Sequence, residues 1–242
     1  MSFNPNMSNK EVADLIFLDF KDQKPFLNLD FANVTTTGLQ SERTFATGGQ
    51  GAPNRVGFDS QRNGTLTIES QITPMKLYSM VSGSEIETSA KYMKREVLTA
   101  ESTSVTLSAT PIESSVHVYS SDDDCGVELE VTVADTVVTI DDVGFTSGEV
   151  IVYYLVEVTE GAQTVKFNSK AFPKAFTVYG ETPWKTEDDE IVAMHLTYYK
   201  VLPQSNFELT FSNGSDVTTL SIVCDLLADN NGDIYDMSII ED

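Results

Sequence analysis

At 242 residues, with 40% of them hydrophobic, the chain is long enough for one or two domains with substantial cores, and wholesale disorder is excluded. Its formal net charge of -22 excludes a protein that grips nucleic acid by its phosphates, though not one that lets nucleic acid slide past. No basic-then-apolar leader opens the sequence and no apolar run approaches the ~18 residues of a membrane span, so the expectation is a protein folded in a cytosol, with no membrane partner.

Frequent Gly, Ser, Thr and Val, with little helical periodicity, predict an all-β fold. Residues 1–10 read as a polar arm, mobile or partner-bound. ADLIFLDF (13–20) and PFLNLDFANVTT (25–36) read as strands joined by the turn KDQK. TFATGGQGAPNR is a Gly- and Pro-rich loop, and Asn63-Gly64 signals a turn leading into the strand TLTIESQI. TPMKLYSMVSG predicts a short helix with Thr73 as N-cap, Pro74 at the first position and Gly83 at the end. Met75, Leu77, Tyr78, Met80 and Val81 form its apolar face. KYMKREVLT (91–99) is a further strand that leaves the first region.

The character then changes. Residues 1–98 hold 11 acidic and 10 basic side chains, including all four arginines, whereas residues 99–168 hold 13 acidic side chains and only Lys166. Residues 169–242 hold 13 acidic and four basic ones. Within 99–168, short strands such as SVTLS, SVHVYS, VELEV, TVVTI and EVIVYYLVEV alternate with turn signals, which predicts a small inserted immunoglobulin-like β-sandwich. VKFNSK, AFTVYGETPW, EIVAMHLTYYKVLP, NFELTFSNG, TTLSIVCDLLAD and DIYDMSIIE then return to strands of the first region.

Chemistry is sparse. His117 and His195 stand in strands without a nucleophile in register, and Cys125 and Cys224 lie far apart, so reduced thiols are expected and a His/Cys zinc site is not. Gly48-Gly49-Gln50-Gly51 lacks the Lys-Ser/Thr of a phosphate loop. Asp122–Asp124 and Glu187–Glu190 read as solvated turns. Asp229, Asn231 and Asp233 come closest to a calcium loop, but Gly232 is misplaced and Ile240 stands where a bidentate Glu belongs. No catalytic set and no cofactor site is expected, and the chain does not read as an enzyme.

ERTFATGGQGAPNRVGFDSQRNGTLTIESQITPMKLYSMVSG resembles the corresponding stretch of phage major tail tube proteins, and so does FPKAFTVYGETPWKTEDDEIVAMHLTYYKVLPQSNFELTFSNG with its ending TLSIVCDLLADNNGDIYDMSIIED. The resemblance covers about residues 1–98 and 169–242. It implies a tail-tube-type β-sandwich or barrel subunit with one short flanking helix. Six subunits would form a ring, and rings would stack into a hollow tube that passes viral DNA and tape-measure protein without binding them specifically. A long loop would bridge rings, for which Gly48, Gly49, Gln50, Gly51, Pro53, Asn54 and Arg55 are the candidates. Sheath, baseplate and terminator proteins would be further partners. The protein would reside in the virion after assembly in the host cytoplasm. Asp30, Glu69 and Glu208 are candidates for an acidic lumen. Two alternatives stand beside this one: another virion component, such as a baseplate, head–tail joining or capsid-decorating protein, or an immunoglobulin-like surface-binding module.

Overall fold

Alternating apolar residues do most of the building. The computed structural model describes residues 6–206, 208–214 and 217–240 and divides the chain into two compact units, Met1–Glu85 with Val165–Asp242, and Ile86–Thr164. Among the described residues the fold is all-β apart from one short helix.

The first unit contains β1 (Met7–Ser8), β2 (Asp14–Asp19), β3 (Pro25–Leu29), β4 (Val34–Thr47), β5 (Asn54–Ser70) and α1 (Met75–Ser82). In the second unit lie β6 (Ile86–Glu87), β7 (Ala90–Ala100), β8 (Ser104–Thr106), β9 (His117–Ser120), β10 (Val131–Ala134), β11 (Val137–Ile140) and β12 (Gly148–Val158). The two-residue β13 (Thr164–Val165) stands where the chain crosses back, and β14 (Phe176–Thr186), β15 (Ile191–Pro203), β16 (Leu220–Leu227) and β17 (Tyr235–Ile240) complete the first unit.

Nine strands of the first unit make one antiparallel sheet, in the order β3-β2-β14-β15-β16-β5-β4, with β1 on β14 and β17 on β15. The sheet forks along β15. Ala193–Tyr198 pair with β17, whereas Lys200–Pro203 pair with β16. Both branches contribute to one core. Leu15 and Phe17 of β2, Leu66 and Ile68 of β5, and Ile222 and Cys224 of β16 are all buried in it. Each such aliphatic or aromatic burial stabilises by ~1.5–3 kcal/mol. The sheet does not close into a barrel: its path ends at β3 and β4.

Helix α1 lays Leu77, Met80 and Val81 into the same core, while Tyr78 packs at its margin. The apolar residues recur at i, i+3 and i+4, the spacing of one helix face. Thr73 does not cap it. Pro74 occupies the N-cap with ψ 153° and no side-chain hydrogen bond. Its ring fixes φ and its missing N–H is one the first turn leaves unused in any case. Gly83 ends the helix at φ 70°, its N–H donating to Ser79 O at 3.0 Å. A Cβ there would lie 2.1 Å from Phe172 O, so glycine is required twice over.

The second unit pairs two three-stranded sheets, β8-β11-β10 and β9-β12-β7, around one core that includes Val118, Val138, Val150, Val152 and Tyr154. Strand β7 belongs here and not to the first region, because it pairs with β12 along its whole length, from Ala90↔Val158 to Ala100↔Gly148. The boundary therefore falls at residues 85/86 rather than 98/99, and the return at 164/165 rather than 168/169.

Other elements also differ from the sequence reading. Residues 25–36 break into β3 and the start of β4, since Asn33 N–H donates to Glu69 O and turns the chain between them. VELEV contributes only its last residue to β10, and VKFNSK only Val165 to β13. NFELTFSNG forms no strand over 208–214, while its Phe207 lies outside the described residues. Of the N-terminal arm, residues 1–5 lie outside the described residues. Met7 and Ser8 pair with Thr186 and Lys185, and Asn9 donates to Thr182 and Pro183. Those residues add to the sheet and do not extend from it.

Candidate assembly surface

Strands β4 and β5 are paired from Val34↔Glu69 to Thr47↔Asn54, but only the Gly64–Ser70 part of β5 also pairs with β16. Beyond it the two strands have only each other. At ~3.4 Å per residue, Gln40–Thr47 extends the ribbon by about 25 Å. Between Leu39 and Asn63 every residue is exposed except the half-buried Gly48.

The Asn63-Gly64 turn does not exist. Both residues sit inside β5, opposite Gln40 and Leu39. Gly64 is buried, and a Cβ on it would come within 2.9 Å of Leu226 Cβ. The glycine serves close strand approach here. The departure from regular pairing lies one step away, as a register shift between Gln40 and Glu42, with Gln61 at φ 50°.

The tip is a tight loop of residues 48–53, shorter than the loop the sequence suggested. Thr44–Thr47 end β4, and Asn54 and Arg55 already begin β5. Ala52 N–H donates to Gly49 O at 3.1 Å, and Arg55 Nε donates to Gly48 O at 2.7 Å. Gly49 and Gly51 adopt φ 90° and 82°. A Cβ on Gly49 would meet the Arg55 guanidinium at 2.8 Å. Gln50 and Pro53 complete the turn, both exposed.

Register sorts the side chains of the ribbon. Thr44, Ala46, Val56 and Phe58 share one face; Arg43, Asp59, Phe45 and Gly57 share the other. Arg43 grips Asp59 through two bonds, of 2.5 and 3.0 Å, which holds the Asp59 carboxyl below its usual range. Phe45, Val56 and Phe58 are 50–58% exposed. A two-stranded ribbon in water is marginal by itself, and such apolar groups on a projecting edge mark an interaction surface. Strand β4 is also a terminal strand of the sheet, so among the described residues its outer N–H and C=O groups face no neighbouring strand. Three of the four arginines, Arg43, Arg55 and Arg62, lie on this ribbon against Glu42 and Asp59, which makes it a basic projection on a chain of net charge -22.

The remaining candidates fall elsewhere. Asp229 closes the β16–β17 turn: its Oδ1 accepts the N–H groups of Asn231 and Asp233 at 2.8 and 2.9 Å, and Gly232 adopts φ 91°. Its carboxylate thus binds its own backbone, and among the described residues no group of three or more His, Cys, Asp or Glu is placed to hold a metal. Cys125 is exposed and free; Cys224 is buried and free, and burial pushes its thiol up to about 12. Asp30 lines a surface groove with Asp14, Glu181 and His195. Cross-strand register puts Asp14 beside Glu181 and Glu181 beside His195, whose Nδ1 lies 3.9 Å from Glu181 Oε2. Glu69 is half-buried on β5 and Glu208 is exposed outside any strand, so neither joins that row. The sequence reading missed Asp14 and Glu181. Each is the polar member of an alternating strand, which was the signal to follow.

A model of the YomU/Tube protein family matches residues 9–238. The chain belongs to the YomU/Tube protein family. It is accordingly a tube-like structural protein of phage and a virion component, and the family's span encloses the second unit as well as the first. Among curated proteins none matches it. Among the described residues no helix of this family member is long and apolar enough to cross a membrane.

Proposed function

We propose that this YomU/Tube chain assembles with itself into hexameric rings that stack as the hollow tail tube of a phage, through which viral DNA is delivered. The β4–β5 arm carries the reading: a projecting ribbon with uncovered Phe45, Val56 and Phe58 and an unpaired outer edge. Chains with open sheet edges pair with one another unless the edge is guarded. The contrast with β7 is informative. That edge of the second unit carries Lys91, Lys94, Arg95 and Glu96 within six residues, whereas the fourteen residues of β4 carry only Glu42 and Arg43, the latter turned onto Asp59. Charged edge residues discourage pairing; threonines do not.

On this reading the tip Gly48–Pro53, with Asn54 and Arg55 behind it, reaches the next ring. The row Asp30, Asp14 and Glu181 lines the lumen and repels passing phosphates, so that DNA and tape-measure protein travel without specific binding. Terminator, baseplate and sheath proteins cap or surround the tube. The second unit is an immunoglobulin-like insert on the tube's exterior. The orders β8-β11-β10 and β9-β12 support that reading, as they match the B-E-D and C-F neighbours of the immunoglobulin arrangement, with β7 in the place of its last strand.

Sedimentation of the purified protein tests the proposal. Wild-type chain pellets as polymer, more slowly as salt screens the basic arm from acidic neighbours. Arg55→Glu, with Arg62→Glu as a second variant, stays in the supernatant. Equal pelleting of both variants and wild type would sink the electrostatic account.

A further inference from the structure

The arm needs a place to land. Two hollows of about 310 and 420 Å³ open on the first unit, and both are lined by Asn9, Glu11 and Trp184. Met194, Leu196 and Met237, neighbours on β15 and β17, make the apolar wall of the smaller one. Ile191, 74% exposed, borders the larger. Trp184 Nε1 is buried and has no acceptor among the described residues. A buried N–H without a partner is destabilising, so this wall is incompletely satisfied in the single chain.

We propose that this trough is the seat for the β4–β5 arm of a second copy of the chain, an inference that rests on the self-assembly reading above. The arm offers what the trough lacks. Val56 and Phe58 share one face of the arm and are uncovered in their own chain, so they can enter the trough together. Charge agrees with shape. The β14–β15 turn next to Trp184 is acidic, with Glu187 and Glu190 beside the pair that Lys185 makes with Asp189 at 2.5 Å. The arriving arm brings Arg55 and Arg62, while its Arg43 is already paired with Asp59. Opposite charge of this kind steers encounter and fixes register, while the aromatic side chains supply the burial.

Trp184 is the only tryptophan, so its emission reports the seat directly. The full chain is followed by fluorescence with acrylamide as quencher, before and after polymerisation, while sedimentation scores the polymer. A benzophenone side chain placed at Phe58 maps the contact by photocrosslinking and peptide identification. The seat predicts a blue shift, loss of quenching on polymerisation, and crosslinks to peptides that hold Trp184 or Met194. Polymer with unchanged Trp184 emission and crosslinks elsewhere overturns the seat and leaves the tube reading standing. Absence of polymer from the wild-type chain overturns both.

Discussion

Glu96 points into the second unit from β7 and shows how one carboxylate holds a turn. Burial alone would raise its pKa. The Ser108 hydroxyl, Lys94 at 2.9 Å and the Ser108 N–H at 3.1 Å overcome that and bring it down to about 2 from an ordinary 4.5. A depressed folded-state pKa contributes stability that is present above the unfolded value and lost as pH falls through the folded one. Thermal unfolding of Glu96→Gln should therefore show a lower Tm at neutral pH and a flatter Tm profile between pH 4.5 and about 2. Parallel profiles would remove the role assigned to this group. Single residues also show where a sequence misleads. Gly64 follows Asn63 in a plausible turn context, yet it lies in a strand against Leu226, whereas Gly83 ends the helix at φ 70° as its context suggests. Local composition cannot tell a glycine chosen for φ from one chosen for lack of a side chain, because the neighbour that decides is 162 positions away in Leu226.

At the level of elements, strands with one buried face were legible and the arm was not. ADLIFLDF alternates because Leu15 and Phe17 face the core, and AFTVYGETPW does so for the same reason. The arm has water on both faces, so its sequence carries no amphipathic period and reads as a loop. The helix was legible from its apolar face and its closing glycine; its start was not, since Pro74 itself takes the cap position. The same absence of burial predicts an arm dispensable to stability, and the proposed assembly predicts one needed for polymer. Replacing residues 41–60 with a two-residue Asn-Gly turn should leave Tm within a few degrees of wild type, as expected for removal of exposed residues, and abolish pelleting. A large loss of Tm would mean that the arm supports the fold; retained pelleting would mean that assembly does not use it.

For the whole molecule, charge and connectivity matter most. The step in charge between 1–98 and 99–168 marked a second unit, but it placed the joint inside β7, because strand partnership is decided by β12, more than 50 residues on. A deletion of 100–167 would strip β7 of its partner, whereas excision of 86–164 behind a short Gly-Ser bridge removes the unit whole. The excised chain should still polymerise, into thinner filaments. Failure to do so, with the first unit folded, would make the second unit part of the tube wall. The tube reading came only through resemblance, since an open sheet could become a wall only with neighbours that one chain does not contain. Negative-stain imaging of the purified full-length protein is the most direct measurement. The account predicts hollow tubes or stacked six-fold rings; a monodisperse monomer at high concentration and low salt would contradict it.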